Sequence, residues 1–219
     1  MCIVPSLAPH LRKETTGDKM NVQKELIPVY GLNGQNVKEK DILQYVVDDL
    51  GLLKDDILDY DLYLYNMDHM EIVGAEKDMI ASPRLDNITS VSVLVDTMCK
   101  TEKGNCINVI SLFDNEEIGS RSKQGADSLM LSGIVDRIMS GLDMEENDRM
   151  RIMRDAFMLS LDVAHASHPN YPEKSDPTNQ IVMGCGVALK SSASQRYVSD
   201  SEASAVVMAL ARKNDIKVQ

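Results

Sequence analysis

Three acidic side chains, Asp114, Glu116 and Glu117, follow an uncharged, β-branched run at residues 106–111 (CINVIS). Such a run reads as a buried strand of a parallel sheet. A buried strand that ends in three acids needs a cation to offset their repulsion and desolvation. Open α/β sheets bind ligands at that end of their strands, so the economical cation is a metal ion. Adjacent residues on an extended chain point to opposite sides, which lets one glutamate ligate the ion while the other acts on water as general base. Without a cation the same residues would form a solvated acidic loop.

A second apolar run, residues 157–161 (FMLSL), also ends on an acid, and Asp162, His165 and His168 fall within seven residues. That combination is metal- or substrate-site chemistry at a strand end. Asp86 closes a polar loop (82–87) ahead of a helical pattern at 88–100, where taken alone it would be an N-cap. Asp86, Glu116, Glu117 and Asp162 thus stand on loops of one sheet. Four converging carboxylates are hard to stabilise without metal, and two zinc-like ions would use a bridging carboxylate, further carboxylate and His ligands, and a base.

The elements that must position these acids are an alternation of helices and strands from about Ile72 onward. Ile88, Val91, Val95 and Met98 share one helical face, residues 126–142 and 148–155 read as helices, and 180–189 (QIVMGCGVAL) as a third strand. A further helix is expected at 199–212 with the stripe Ala205, Val206, Ala209 and Leu210, and residues 215–219 open another strand. Before Ile72 the pattern differs. Residues 38–53 carry an amphipathic stripe stopped by Gly51, and residues 60–71 alternate polar and apolar as a half-exposed antiparallel strand. The fold class expected is α/β, with a mixed, largely parallel sheet flanked by helices.

Composition limits the function. The 219 residues carry 34 acids against 23 bases, a formal charge of −11 that argues against nucleic acid and anionic membrane as partners. Four cysteines (Cys2, Cys99, Cys106, Cys185) form no CxxC pair, and Cys106 and Cys185 lie in apolar runs, which reads as reduced, buried and cytoplasmic. No run reaches the roughly 18 apolar residues of a membrane span, and the first residues lack a signal-peptide pattern. With no Trp and two Phe, the 14 methionines are expected to fill core gaps.

The segments SPRLDN (82–87), LFDNEEIGSRSKQGADS (112–128), SLDVAHASHPNY (160–171) and KSSASQRY (190–197) resemble, in order, the motifs of the M18 metallopeptidases, the aspartyl aminopeptidase family. PSLAPHL (5–11) resembles a further family segment. The resemblance implies that Asp86 bridges two zinc ions, that Glu117 and Asp162 are terminal ligands on opposite metals, and that Glu116 is the general base. It implies that His165, Lys190 and Tyr197 contact a peptide substrate and that His10 reaches the active site of a neighbouring subunit of a homo-oligomer. Residues 1–71 would be the later part of an inserted, β-rich oligomerisation domain and 72–219 the catalytic α/β domain.

The departures are as informative. The family pattern includes a His-Thr-Asp motif upstream of PSLAPHL and a histidine close to the carboxyl terminus, whereas this sequence holds no HTD and no histidine after His168. The chain therefore resembles a central fragment. A zinc-dependent aminopeptidase is the activity implied, with this chain an incomplete and inactive portion of it. The alternatives are a non-catalytic remnant or assembly subunit, and a different di-metal amide hydrolase such as a deacylase.

Overall fold

The structure is a computed structural model that describes residues 1–8, 20–32, 41–194 and 196–219. Its chain divides into two units, Met1–Tyr65 and Asn66–Gln219.

In the first unit, α1 (Val22–Glu25) is capped by Asn21, whose side chain accepts from Lys24 N while its own N–H donates to Glu25 Oε1 at 2.7 Å. α2 (Ile42–Leu50) shows the same local logic. Asp41 Oδ1 accepts from Gln44 N at 2.8 Å to start it, and Gly51 ends it at φ 67°, a conformation that favours a residue without Cβ. The helix is shorter than the 38–53 stripe suggests, because Asp41 binds the first turn and fixes its start; residues 38–40 lie outside the described residues. Val47 is fully buried and a one-turn 3₁₀ segment, Lys54–Asp56, returns Lys54 to the Asp41 carboxylate. A single antiparallel bridge joins Ile3 and Val29.

The second unit contains β1 (Glu71–Val73) and β2 (Met79–Ala81), paired antiparallel with Ile72 opposite Ile80. α3 (Leu85–Lys100) follows, but Asp86 (φ −86°, ψ 107°) and Asn87 (φ −125°, ψ 29°) are not helical, so regular helix begins beyond them. α4 (Met130–Gly141) starts four residues later than the apolar pattern indicates. Ser128 accounts for the delay: its hydroxyl donates to Gly125 O at 2.7 Å and accepts from Met130 N at 3.2 Å. α5 (Glu146–Asp155) is tied to α4 by Arg149, whose guanidinium donates to Asp136 at 2.6 Å. α6 (Ser201–Lys213) is capped by Asp200, which accepts from Ala203 N at 2.8 Å.

Several expectations are corrected by the packing. Among the described residues β pairing is confined to β1 with β2, the antiparallel bridge between Ile3 and Val29, and a parallel bridge between Val187 and Val218, so the runs 106–111 and 157–161 have no ladder partner. The alternating segment 60–70 likewise stays outside any ladder and is exposed. The third apolar run is broken by a turn at Met183 and Gly184 (φ 77°). A strand exists only through a neighbour, and apolar character alone supplies none. All four cysteines are exposed, which corrects the reading of Cys106 and Cys185 as buried. Helix α6 packs through Ala203, Ser204, Val207, Met208 and Ala211 and leaves Val206 and Leu210 exposed, the opposite face from the stripe expected. Ile88, Val95 and Met98 of α3 are also exposed, and Ser90 is buried in their place.

Candidate active site

The acidic loop after residues 106–111 is shaped by its own polar groups. Glu116–Ile118 forms one 3₁₀ turn between Asn115 (φ 62°) and Gly119 (φ 100°), both left-handed. Asp114 N donates to Gln124 O at 3.3 Å, Ser120 N to Asn115 O at 2.9 Å, Asp127 N to Ser120 O at 3.1 Å, and the Ser122 hydroxyl to Asn115 Oδ1 at 2.6 Å. Gly125 is buried where a Cβ would lie 2.1 Å from the Ser120 carbonyl oxygen, so only glycine permits this closure. Glu116 and Glu117 are exposed on the finished turn.

A second group assembles around Asp162. Lys190 Nζ donates to Asp162 Oδ2 at 2.6 Å and lies 5.7 Å from the centre of the Tyr197 ring. Asp86 sits close enough to interact with the Asp162 carboxyl and to contribute to the field at Lys190. The link between the two acid-bearing segments is Asn87, whose Nδ2 donates to Leu161 O at 3.1 Å. Sequence reasoning assigned no role to Asn87; the available signal was a side-chain amide directly beside an acid expected to ligate.

The Lys190 ammonium holds the Asp162 carboxyl below the usual carboxylate range, against an opposing desolvation effect. Asp162 in turn raises Lys190, again opposed by desolvation. A lowered carboxylate stabilises the fold above its unfolded pKa and loses that contribution as pH falls through the folded value. A raised ammonium stabilises below its unfolded pKa and loses that contribution as pH rises through the folded value. The pair therefore contributes between about pH 4 and pH 10 and weakens outside that window. Lys190→Met should raise the Asp162 pKa, measured by carboxyl ¹³C NMR titration. An unmoved Asp162 would mean that another group holds it.

His165 is exposed three residues beyond Asp162. His168 Nδ1 accepts from Asn170 N at 3.1 Å and its ring packs 5.1 Å from that of Tyr171, so one of its two nitrogens is committed to the backbone. His10 lies outside the described residues.

Asp86 and Asp162 supply hard anionic oxygen, which suits a divalent ion in kind. Among the described residues, however, no group of three or more His, Cys, Asp or Glu side chains is placed to hold one. Zinc sites normally take three or four protein ligands, so this carboxylate pair alone is too small a donor set for one.

Residues 1–219 match the family described as "Aminopeptidase I zinc metalloprotease (M18)". The chain belongs to the M18 family. It is 38% identical to the "Probable M18 family aminopeptidase 2" of Clostridium novyi, over 99% of this chain and 51% of that protein. It superposes with a TM-score of 0.85 and 27% identity on a chain of the Ape4 and Nbr1 complex, covering 100% of this chain and 46% of that one. The S. cerevisiae mApe1 dodecamer gives a TM-score of 0.75 at 26% identity, over 100% of this chain and 50% of the other. These neighbours are consistent with an α/β peptidase fold for this M18 chain. The chain spans about half the length of the curated relatives it matches. No helix among the described residues is long and apolar enough to cross a membrane.

Proposed function

We propose that this M18 chain carries the carboxylate share of a zinc aminopeptidase centre that removes amino-terminal residues from peptides. The observation that supports it most is the meeting of Asp86 and Asp162, two acids from distant segments, beside Lys190 and Tyr197. In this reading Asp86, Glu117 and Asp162 hold metal, two ions in a complete site, with further donors from outside this set. Zinc, when bound, polarises the scissile carbonyl and acidifies water. Glu116 takes a proton from the attacking water and passes it to the leaving amine. Lys190, Tyr197 and His165 orient the peptide, and His10 serves the site of a neighbouring subunit. Residues 1–71 belong to an inserted oligomerisation domain and 72–219 to the catalytic domain. Assembly into a homo-oligomer is proposed by analogy with the mApe1 dodecamer.

The test has two arms. The 219-residue chain alone, titrated with zinc by calorimetry, should bind weakly and turn over no aminoacyl substrate, because about two carboxylates for each ion are too few donors. Flanked by the matching remainder of the Clostridium novyi relative, the same residues should hydrolyse aminoacyl anilides and leave N-acyl amino acids untouched. Turnover of the N-acyl panel alone would make the protein a deacylase, and full zinc loading with no turnover of either would make it a remnant.

A further inference from the structure

We propose that Asn87 is the positioning residue of this centre, its side-chain amide setting the separation of the Asp86 and Asp162 carboxylates. The inference rests on the metal-site reading given above. Asn87 directly follows Asp86 and Leu161 directly precedes Asp162, so the 3.1 Å bond from Asn87 Nδ2 to Leu161 O joins the two acids through one residue on each side. The bond spans 74 positions of sequence and therefore fixes a relation that local structure cannot. On the other side, the Ile88 N–H donates to Arg84 O at 3.1 Å across the non-helical pair Asp86 and Asn87, which holds the backbone that carries them.

The same side chain is a poor choice for stability. Its Oδ1 is buried and has no hydrogen-bond partner among the described residues. An apolar residue of similar shape would remove that orphaned acceptor while taking the donor from the part-buried Leu161 O, two effects of similar size, so the fold has little to lose by the exchange. The asparagine is kept for its N–H, and what that N–H secures is the placement of two acids. Hydrogen-bonded groups behind metal ligands typically account for 10–100-fold in metal affinity.

The test compares Asn87→Leu and Asn87→Asp with the unaltered 219-residue chain, reading zinc affinity by competition with a chromophoric zinc indicator and melting temperature without zinc. Asn87→Leu should weaken zinc binding about 10-fold or more while the zinc-free melting temperature stays level or rises. Asn87→Asp keeps the shape, loses the donor and adds a negative charge beside Asp86. Positioning predicts weaker zinc binding from it, whereas simple attraction of the cation predicts tighter binding. Zinc affinity within twofold of the unaltered chain in Asn87→Leu, tighter binding in Asn87→Asp, or a melting temperature that falls in step with zinc binding would overturn the proposal. If the unaltered chain binds too little zinc to compare, zinc content is read by atomic absorption in the Clostridium novyi hybrid and in its Asn87→Leu variant. Equal zinc content in the two overturns the positioning claim, lower content in Asn87→Leu upholds it, and no zinc in the unaltered hybrid overturns the metal-site reading and the positioning claim with it.

Discussion

Glu116→Gln, introduced in the Clostridium novyi hybrid, should leave zinc content unchanged and lower turnover by about 100-fold or more. The amide matches the carboxylate in shape and still accepts a hydrogen bond, but it cannot take a proton from water. The 3₁₀ turn at Glu116–Ile118 separates the two glutamates by about a third of a revolution, so a single ion cannot command both from the same direction. Glu117→Gln should accordingly lower zinc occupancy in the same hybrid, measured by atomic absorption. Normal turnover in Glu116→Gln would remove it from the base role, and unchanged zinc in Glu117→Gln would show the two roles to be exchanged.

The isolated chain should self-associate strongly at micromolar concentration. Many large apolar side chains lie without cover: Leu58, Tyr63, Met158 and Val198 are each more than three-quarters exposed. Backbone in the runs 106–111 and 157–161, outside any ladder among the described residues, adds strand edges that recruit other chains. Sedimentation velocity should show mixed oligomers or aggregate, and one monodisperse 24 kDa species would contradict this.

Local chemistry was the legible part of the sequence. Gly51 as a helix stop and Asp86 ahead of the regular helix could be foreseen because caps and breaks depend on a few neighbouring residues. The sequence groups Asp86, Glu116, Glu117 and Asp162 as acids at element ends, and of these the structure puts Asp86 and Asp162 within reach of one another. Non-local facts were not legible. An apolar run names a strand but not its partner, and here runs 106–111 and 157–161 have none among the described residues. The packed face of α6 could not be read from side-chain size either, since the smaller Ala203, Ser204 and Ala211 go inward while Leu210 faces out. His168 looked like a ligand from its spacing, yet one of its nitrogens is taken by the Asn170 N–H two residues away.

The closure of the glutamate loop has an entropic corollary. Its hydrogen bonds, such as Asp114 N to Gln124 O, join residues about ten positions apart, whereas the Asn87 to Leu161 bond closes 74. Closing the longer loop costs roughly 2 kcal/mol more in chain entropy. The turn bearing Glu116 and Glu117 can therefore keep its shape in a partly unfolded chain, while the Asp86 and Asp162 junction dissolves first, so the acids of one centre belong to parts of the molecule with unequal persistence.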